Sequence, residues 1–313
     1  MTVEALRSQP AALAAIGDTP VARLEALVEP GMAEVWVKVE AANPTGSYKD
    51  RMALAMIEGA ERSGRLQPRQ TVVEYTGGST GSSLAFVCAQ KGYPLRIVTS
   101  DAFAEEKLAT MRALGAELEV LPSPEGITPQ LIPRMIERAA EIAEEVDGFA
   151  TDQFRNADMV EGYRRLGREL LNQLDGRIDA FCAYIGTAGC FVGTARELRA
   201  SRPALRRVAI EPAESPALSE GRAGTHRIEG GGAGFWPPLL EREDFDEVRT
   251  VSTDDAIAMA RRAAREDGIF SGPSTGANLT IALQLARELG EGKVVATVQV
   301  DSGLKYLSGH VYG

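Results

Sequence analysis

Lys49 is the residue whose type and position most clearly suggest chemistry. It follows the turn Asn-Pro-Thr-Gly-Ser-Tyr at 43–48 and begins a stretch with helical spacing that ends near Ser63. Ser47 can cap this helix, and Asp50 lies in its first turn, where the helix dipole favours an acid. The same dipole disfavours a cation, so we expect a lowered pKa for Lys49 and a neutral amine, the form that Schiff-base chemistry needs. Taken alone, a lysine is more often an ordinary surface residue.

Three loops of small residues, at 76–81, 186–190 and 272–276, each precede a predicted helix. After a strand, such a loop offers free backbone N–H groups and a favourable helix dipole to an anion, although a plain tight connection would look the same. The first loop lacks the Gly-Lys-Ser/Thr ending of a nucleotide P-loop, so a small carboxylate fits it better than a triphosphate.

The segments that must position these residues alternate between strand and helix patterns. Predicted strands lie at 34–40, 71–74, 95–99, 117–121, 178–185, 207–210 and 294–300. Predicted helices lie at 49–63, 82–91, 105–114, 131–146, 159–174, 253–267 and 278–289, with one more from about 190 to 201. This alternation predicts an α/β protein with parallel sheets and right-handed crossovers.

Composition excludes several classes of function. The net charge of −10 and the absence of a basic run argue against nucleic acid and membrane surfaces as partners. We find no signal peptide and no apolar run long enough to span a bilayer. Cys88, Cys182 and Cys190 are far apart, and His226 and His310 are the only histidines, so no metal site is expected. These features together predict a cytoplasmic protein.

A nicotinamide-binding fold is a competing interpretation. Glu211 ends the strand that follows loop 186–190, where dinucleotide-binding folds hold the ribose. The glycine spacing of the loop is G-x-x-G-x-x-x-G rather than G-x-G-x-x-G, which weakens this alternative.

The lysine turn and the three loops, in this order, resemble the cysteine synthase family of pyridoxal-phosphate enzymes, in the fold type II (tryptophan synthase β) superfamily. The similarity extends from Gly17-Asp-Thr-Pro20 to Asp301-Ser-Gly303. It implies two open, mostly parallel twisted sheets with helices on both faces. It also implies a smaller, mobile substrate-loop domain at 43–150 and a larger cofactor-phosphate domain at 1–42 and 151–313.

The resemblance assigns roles to residues of the matched motifs. Lys49 corresponds to the catalytic lysine that carries pyridoxal 5′-phosphate, and Ser274 to the partner of its pyridine nitrogen. The implied cofactor-binding residues are Lys49, Ser79, Gly186, Thr187, Ala188, Gly189, Cys190 and Ser274. The implied substrate-binding residues are Thr76, Gly77, Gly78, Ser79, Thr80, Gln153 and Gly230.

Four positions depart from the family pattern. Gly77 and Ser79 stand where the family has serine and asparagine, and Ala188 and Cys190 where it has glycine and threonine. Backbone N–H groups survive the last two changes, so phosphate binding is expected to survive too. A serine at 79 reaches less far than asparagine, which leaves the choice of reaction open.

The resemblance implies β-replacement on an activated L-serine, with O-acetylserine and sulfide giving L-cysteine and acetate. The alternative is a β-elimination lyase of the same fold, such as a serine or threonine dehydratase or a cysteine desulfhydrase. The implied partners are a small amino-acid substrate, sulfide or another small nucleophile, and a second copy of the chain in a homodimer. Pyridoxal phosphate acts in either case as the electron sink.

Overall fold

The computed structural model describes residues 11–125, 128 and 130–313. Its strands are β1 (Val21–Arg23), β2 (Glu34–Val39), β3 (Val72–Tyr75), β4 (Leu95–Ser100), β5 (Glu117–Leu121), β6 (Phe149–Ala150), β7 (Ala180–Tyr184), β8 (Arg206–Pro212), β9 (Glu247–Val251) and β10 (Val294–Gln299). Its α-helices are α1 (Lys49–Ser63), α2 (Ser79–Lys91), α3 (Glu105–Ala113), α4 (Leu131–Glu145), α5 (Asp158–Gln173), α6 (Gly189–Ser201), α7 (Thr253–Glu266) and α8 (Pro273–Leu289).

The chain divides into two compact units. The first contains residues 11–16 and 43–159, and the second contains residues 17–42 and 160–313. The division predicted from the sequence was 43–150 against 1–42 and 151–313, and residues 1–10 of that prediction lie outside the described part. The mobility and the cofactor role assigned to these domains stay predictions.

The sheet of the first unit has the strand order β5-β4-β3-β6, and all of its pairings are parallel. Side chains of a strand alternate between the two faces of a sheet. Val73, Tyr75 and Val98 therefore share one face, where they pack in one cluster with Leu131 and Met135 of α4. Glu74, which lies between Val73 and Tyr75 in β3, points to the opposite face.

The sheet of the second unit has the order β1-β2-β10-β7-β8-β9, and β1 is its one antiparallel strand among those described. Cys182 and Tyr184 pack in a core cluster with residues of α7 and α8. Phe181, which points the other way, stacks on Phe191 of α6 at 5.9 Å between ring centroids. Helices thus cover both faces, and the α/β architecture with two mostly parallel sheets is confirmed.

The sequence prediction missed the strands β1, β6 and β9 and placed two helix starts too late. α1 has its predicted bounds, and Gly92 ends α2 in the left-handed conformation, as its position after the last helical residue predicts. However, α2 begins at Ser79 rather than 82, and α8 begins at Pro273 rather than 278. Small polar residues in a first helical turn carry no hydrophobic periodicity, and proline is well suited to the N1 position because its N–H would be unpaired there anyway.

Candidate active site

Hydrogen bonds among residues 43–50 stabilise the turn before Lys49. Gly46 has φ +70° and donates its N–H to the Asn43 carbonyl at 2.8 Å. The Asp50 carboxylate accepts the Thr45 N–H at 2.8 Å and the Thr45 hydroxyl at 2.5 Å. The N-cap position is Tyr48 rather than the predicted Ser47, although the Ser47 hydroxyl accepts the Lys49 N–H at 3.3 Å. The conformation of the turn therefore sets the start of α1 at Lys49.

Lys49 is buried in the first unit, with 6% of its surface exposed. Its Nζ lies 5.1 Å from the centroid of the Tyr48 ring and 4.0 Å from the sulfur of Met52. An amine that is buried to this extent is screened from water, which is the environment that covalent amine chemistry uses. The ordinary surface position considered from the sequence is thus excluded.

The predicted substrate loop follows β3 in the same unit. The Thr76 hydroxyl accepts the Gly78 N–H at 3.1 Å, and α2 then begins at Ser79, so Ser79 and Thr80 lie in its first turn. The Thr80 hydroxyl donates to Oε1 of Gln153 at 2.8 Å. The structure thus brings together two predicted substrate residues that are 73 positions apart.

Phe103 and Lys107 pack against this loop, and neither was identified from the sequence as a site residue. A side chain at position 77 would overlap the ring of Phe103, and one at 78 would lie 3.3 Å from Cδ of Lys107. Gly77 departs from the family serine because the Phe103 ring occupies that space. Both missed residues follow the carboxyl end of β4, which lies beside β3, and residues at this edge of neighbouring parallel strands meet. The position of both residues just after β4 was therefore a signal in the sequence that could have identified them.

A third residue that the sequence analysis missed is Glu74, whose carboxylate binds the segment that carries Gln153. It accepts hydrogen bonds from the Thr151 hydroxyl at 2.6 Å, the Tyr75 N–H at 2.9 Å and the Gln153 N–H at 3.2 Å. Burial raises the pKa of Glu74 to about 7, although these hydrogen bonds oppose the shift. The nearby Asp152 adds a smaller upward contribution to the same pKa.

The predicted phosphate loop follows β7 in the second unit. α6 begins at Gly189, so Gly189 and Cys190 lie in its first turn, and Gly186, Thr187 and Ala188 form the loop. Ala188 is the N-cap residue and has φ +69°, a left-handed conformation that costs an alanine roughly 1–2 kcal/mol. The conformation explains why a glycine is usual at this position. Backbone N–H groups at the start of α6 are the donors that a phosphate would need.

The glycine-rich segment 230–232 closes this loop with backbone groups. A Cβ at position 186 would lie 2.7 Å from the Gly230 carbonyl oxygen, and the Gly232 N–H donates to the Ile185 carbonyl at 2.9 Å. His226 holds the segment, because its Nδ1 accepts the Ile228 N–H at 3.2 Å and its Nε2 lies 2.8 Å from the Gly232 oxygen. Only glycines allow so close an approach of two backbones.

Ser274 provides a test of whether the second unit fits a cofactor. Its side chain lies in the first turn of α8, buried at 1% exposure, and its Oγ has no hydrogen-bond partner among the described residues. Buried hydroxyls in proteins are nearly always paired. A Cβ on Gly230 would lie 3.6 Å from this Oγ, so the predicted Gly230 and Ser274 are neighbours. The orphaned hydroxyl fits a ligand that supplies a ring nitrogen.

The nicotinamide alternative depends on Glu211, but the carboxylate of Glu211 forms hydrogen bonds within the protein. Its carboxylate accepts the Leu218 N–H at 2.7 Å, the Ser219 N–H at 3.0 Å and the Ser219 hydroxyl at 2.6 Å. It therefore holds the turn at 218–219.

Within the described residues, no group of three or more His, Cys, Asp or Glu side chains is placed to bind a metal ion. No described helix has the length and apolar character to cross a membrane.

Comparisons with known proteins agree with this geometry. The family model described as "Pyridoxal-phosphate dependent enzyme" matches residues 12–300. This chain belongs to that family of pyridoxal-phosphate enzymes. The prediction of the cofactor is thereby confirmed, and the nicotinamide alternative is wrong.

Relatives of this pyridoxal-phosphate enzyme include the cysteine synthase of Staphylococcus aureus (strain N315), which is 44% identical over 299 residues, or 95% of each chain. Among solved structures, O-acetyl serine sulfhydrylase isoform 3 from Entamoeba histolytica is 33% identical with a TM-score of 0.90, over 96% of this chain and 90% of that one. A hydrogen sulfide-producing enzyme from Fusobacterium nucleatum is 34% identical with a TM-score of 0.88, over 95% and 99%.

Proposed function

We propose that the enzyme converts O-acetyl-L-serine and sulfide into L-cysteine and acetate. The observation that carries this proposal is the 44% identity to a cysteine synthase across 95% of both chains. In this reaction the bond from the β-carbon to the acetate oxygen breaks, a bond from the β-carbon to sulfur forms, and acetate leaves. No oxidant or reductant is needed.

Pyridoxal phosphate, when bound, supplies the electron sink for this chemistry. Lys49 is the residue that would carry the cofactor covalently and then, as a free amine, remove the α-proton of the substrate as general base. Its burial, with 6% exposure, supports both roles. Backbone N–H groups of 186–190 would bind the phosphate, with Ser274 as the partner of the ring nitrogen.

The substrate carboxylate is assigned to the first turn of α2 and to Gln153. The Thr80 hydroxyl and Gln153 are hydrogen-bonded at 2.8 Å, and the Gln153 Nε2 donates to the Tyr75 carbonyl at 3.0 Å, so the amide is held in one orientation. A preorganised set of donors at a helix N-terminus is suited to a small carboxylate. Thr76, Gly77, Gly78 and Ser79 complete the proposed loop around it.

A lyase that releases the β-substituent without replacement is the second candidate. It is favoured by Ser79, which is shorter than the family asparagine, and by the similarity to a hydrogen sulfide-producing enzyme. Incubation with O-acetylserine, with and without sulfide, separates the two candidates. Cysteine and acetate as the main products would support β-replacement, whereas pyruvate that persists when sulfide is saturating would support the lyase.

The covalent assignment is tested independently of the substrate. Borohydride reduction of the yellow enzyme and peptide mapping by mass spectrometry should place the cofactor adduct on Lys49. An adduct on another lysine would overturn the assignment. A homodimer and a cytoplasmic location also remain proposals from family resemblance, and sedimentation at micromolar concentration giving a monomer mass would remove the first.

A further inference from the structure

We call Thr80 and Gln153, which are proposed to bind the substrate carboxylate, the carboxylate clamp. Hydrogen bonds connect the buried carboxylate of Glu74 to this clamp through Gln153. Glu74 is 2% exposed, and the described groups that act on its carboxylate are hydrogen-bond donors and the acidic Asp152, with no cation among them. Its Oε2 accepts a hydrogen bond from the Gln153 N–H, and Oε1 of Gln153 accepts a hydrogen bond from the Thr80 hydroxyl. Burying a carboxylate without a cation costs folding free energy, which points to a role for the groups that hydrogen-bond to it.

The turn that Glu74 holds has a left-handed residue at its centre. Asp152 has φ +45°, a conformation that aspartate adopts more readily than most residues other than glycine. Its Oδ1 is buried and, in the described part of the chain, has no hydrogen-bond partner. The donors on either side of it, the Thr151 hydroxyl and the Gln153 N–H, both bind Oε2 of Glu74. Glu74 therefore binds a donor on each side of the left-handed residue, and these two hydrogen bonds fix the conformation of the turn.

We propose that Glu74 is a positioning residue whose ionised carboxylate holds the turn 151–153 so that Gln153 and Thr80 stay aligned for the substrate carboxylate. The proposal rests on the proposed function in one respect, namely that Gln153 and Thr80 bind that carboxylate. Glu74 itself touches neither substrate nor cofactor in this account.

The protonation state of Glu74 decides whether it can do this. An ionised carboxylate accepts all three donors, whereas a protonated one places an O–H on one oxygen and loses acceptor capacity there. The Thr151 hydroxyl can rotate to accept that proton, but the two backbone N–H groups cannot adapt. Because burial raises the pKa of Glu74 to about 7, the change falls near neutral pH. Asp152 is the ionisable side chain that raises the pKa of Glu74 through its charge, whereas Tyr75 acts on Glu74 through its backbone N–H.

The experiment compares two ligands that differ in the group the clamp would bind. L-Serine has the carboxylate, and L-serinamide has an uncharged amide in its place. Their dissociation constants are measured on the holoenzyme by the change in cofactor absorbance, at pH 8 and pH 6. Glu74→Gln keeps the shape of the side chain and mimics its protonated form.

Glu211→Gln is the matched control. Glu211 is also 2% exposed, and its carboxylate also accepts two backbone N–H groups and one hydroxyl, but it holds the turn at 218–219 in the second unit. Both variants lose a buried carboxylate with the same kind of partners. Only Glu74→Gln loses the connection to Gln153 and Thr80.

We expect Glu74→Gln to weaken serine binding at pH 8 about tenfold, the effect of losing one hydrogen bond to a charged group, and to leave serinamide binding unchanged. The ratio of serine to serinamide affinity should differ between the parent and the variant at pH 8, and this difference should shrink as pH falls to 6. Without substrate, the amide hydrogens of 151–153 should exchange faster in Glu74→Gln than in the parent. Thr151→Val, which removes one of the three donors, should shift the ratio in the same direction by a smaller factor.

A Glu74→Gln enzyme that keeps the parent's ratio at pH 8 would overturn the role of Glu74, and so would an equal loss in Glu211→Gln. If Glu74→Gln does not fold, an unchanged ratio in Thr151→Val has the same consequence. A parent enzyme that binds serine and serinamide equally would instead overturn the carboxylate clamp assigned under the proposed function, and the role of Glu74 with it.

Discussion

The loop after β3 and the loop after β7 have the same local architecture, a parallel strand followed by small residues and a helix N-terminus, but they are enclosed differently. Side chains from distant segments surround the first loop: Phe103, Lys107 and Gln153, with Glu74 bound to the segment that carries Gln153. Backbone groups close the second, through the carbonyls of Gly230 and Ile185. A loop that is held by backbone groups should tolerate changes of its side chains. In a loop that is surrounded by side chains, such changes should alter the space that is available to a ligand.

This comparison explains the four departures from the family pattern. Ala188 and Cys190 alter side chains in a loop whose proposed donors are main-chain N–H groups, so binding of phosphate should depend little on them. Gly77 and Ser79 alter side chains in a loop where side chains define the space. Variation in the first loop should therefore change the reaction, and variation in the second should change stability unless it blocks the anion itself.

The largest effect is expected where a charge enters the backbone-closed loop. Gly189→Asp places an acid in the buried first turn of α6, where the helix dipole favours an acid and offsets part of the cost of burying the charge. Repulsion between unit charges about 4 Å apart near a surface is worth roughly 4 kcal/mol, so affinity for pyridoxal phosphate should fall at least about a hundredfold.

Cofactor titration followed by absorbance measures this loss. Cys190→Thr is the control, and it should bind the cofactor like the parent. Equal affinity in both variants and the parent would mean that the phosphate binds elsewhere.

The next effect is expected at Ser79. Ser79→Asn adds a longer hydrogen-bonding side chain in the first turn of α2, and a hydrogen bond to a charged group is worth about 1.5–3 kcal/mol, or roughly ten- to a hundredfold in rate. The ratio of cysteine to pyruvate formed from O-acetylserine and sulfide should rise. Thr80→Ala should instead lower both products, because it removes the bond to Gln153. A ratio that does not change in Ser79→Asn would exclude a role of residue 79 in the choice of reaction.

A smaller effect is expected from restoring the family serine at 77. Gly77→Ser should clash with Phe103, at a cost of about 1–3 kcal/mol in unfolding free energy, and weaken substrate binding. Phe103→Ala should relieve the clash, so the double variant should be more stable than the sum of the single changes predicts. Urea unfolding of the four proteins gives this coupling energy. Strict additivity would show that the two residues do not compete for space.

The smallest effect is expected at Ala188. Ala188→Gly should raise the unfolding free energy by about 1 kcal/mol, because glycine adopts φ +69° without steric cost. Ala200→Gly, at an exposed right-handed position of the same helix, should lower it by a similar amount. Two changes of the same sign in urea unfolding would contradict the strain assigned to Ala188.

Local patterns in the sequence were sufficient for most of the elements, but not for the strands β1, β6 and β9. The bounds of α1, the end of α2 at Gly92 and the parallel α/β architecture follow from turn residues, hydrophobic periods and helix stops, which act over a few positions. The small-residue starts of α2 and α8 were missed for the same reason, since they have no period to detect.

Tertiary structure decided what surrounds the site. It places Gln153 against Thr80, fills the space at Gly77 with Phe103, buries the Glu74 carboxylate among three donors and leaves the Ser274 hydroxyl without a partner among the described residues. These facts depend on which strands are neighbours and on how side chains far apart in the chain fill one volume. Burial and hydrogen bonding act through space, so a pattern read along the chain cannot contain them.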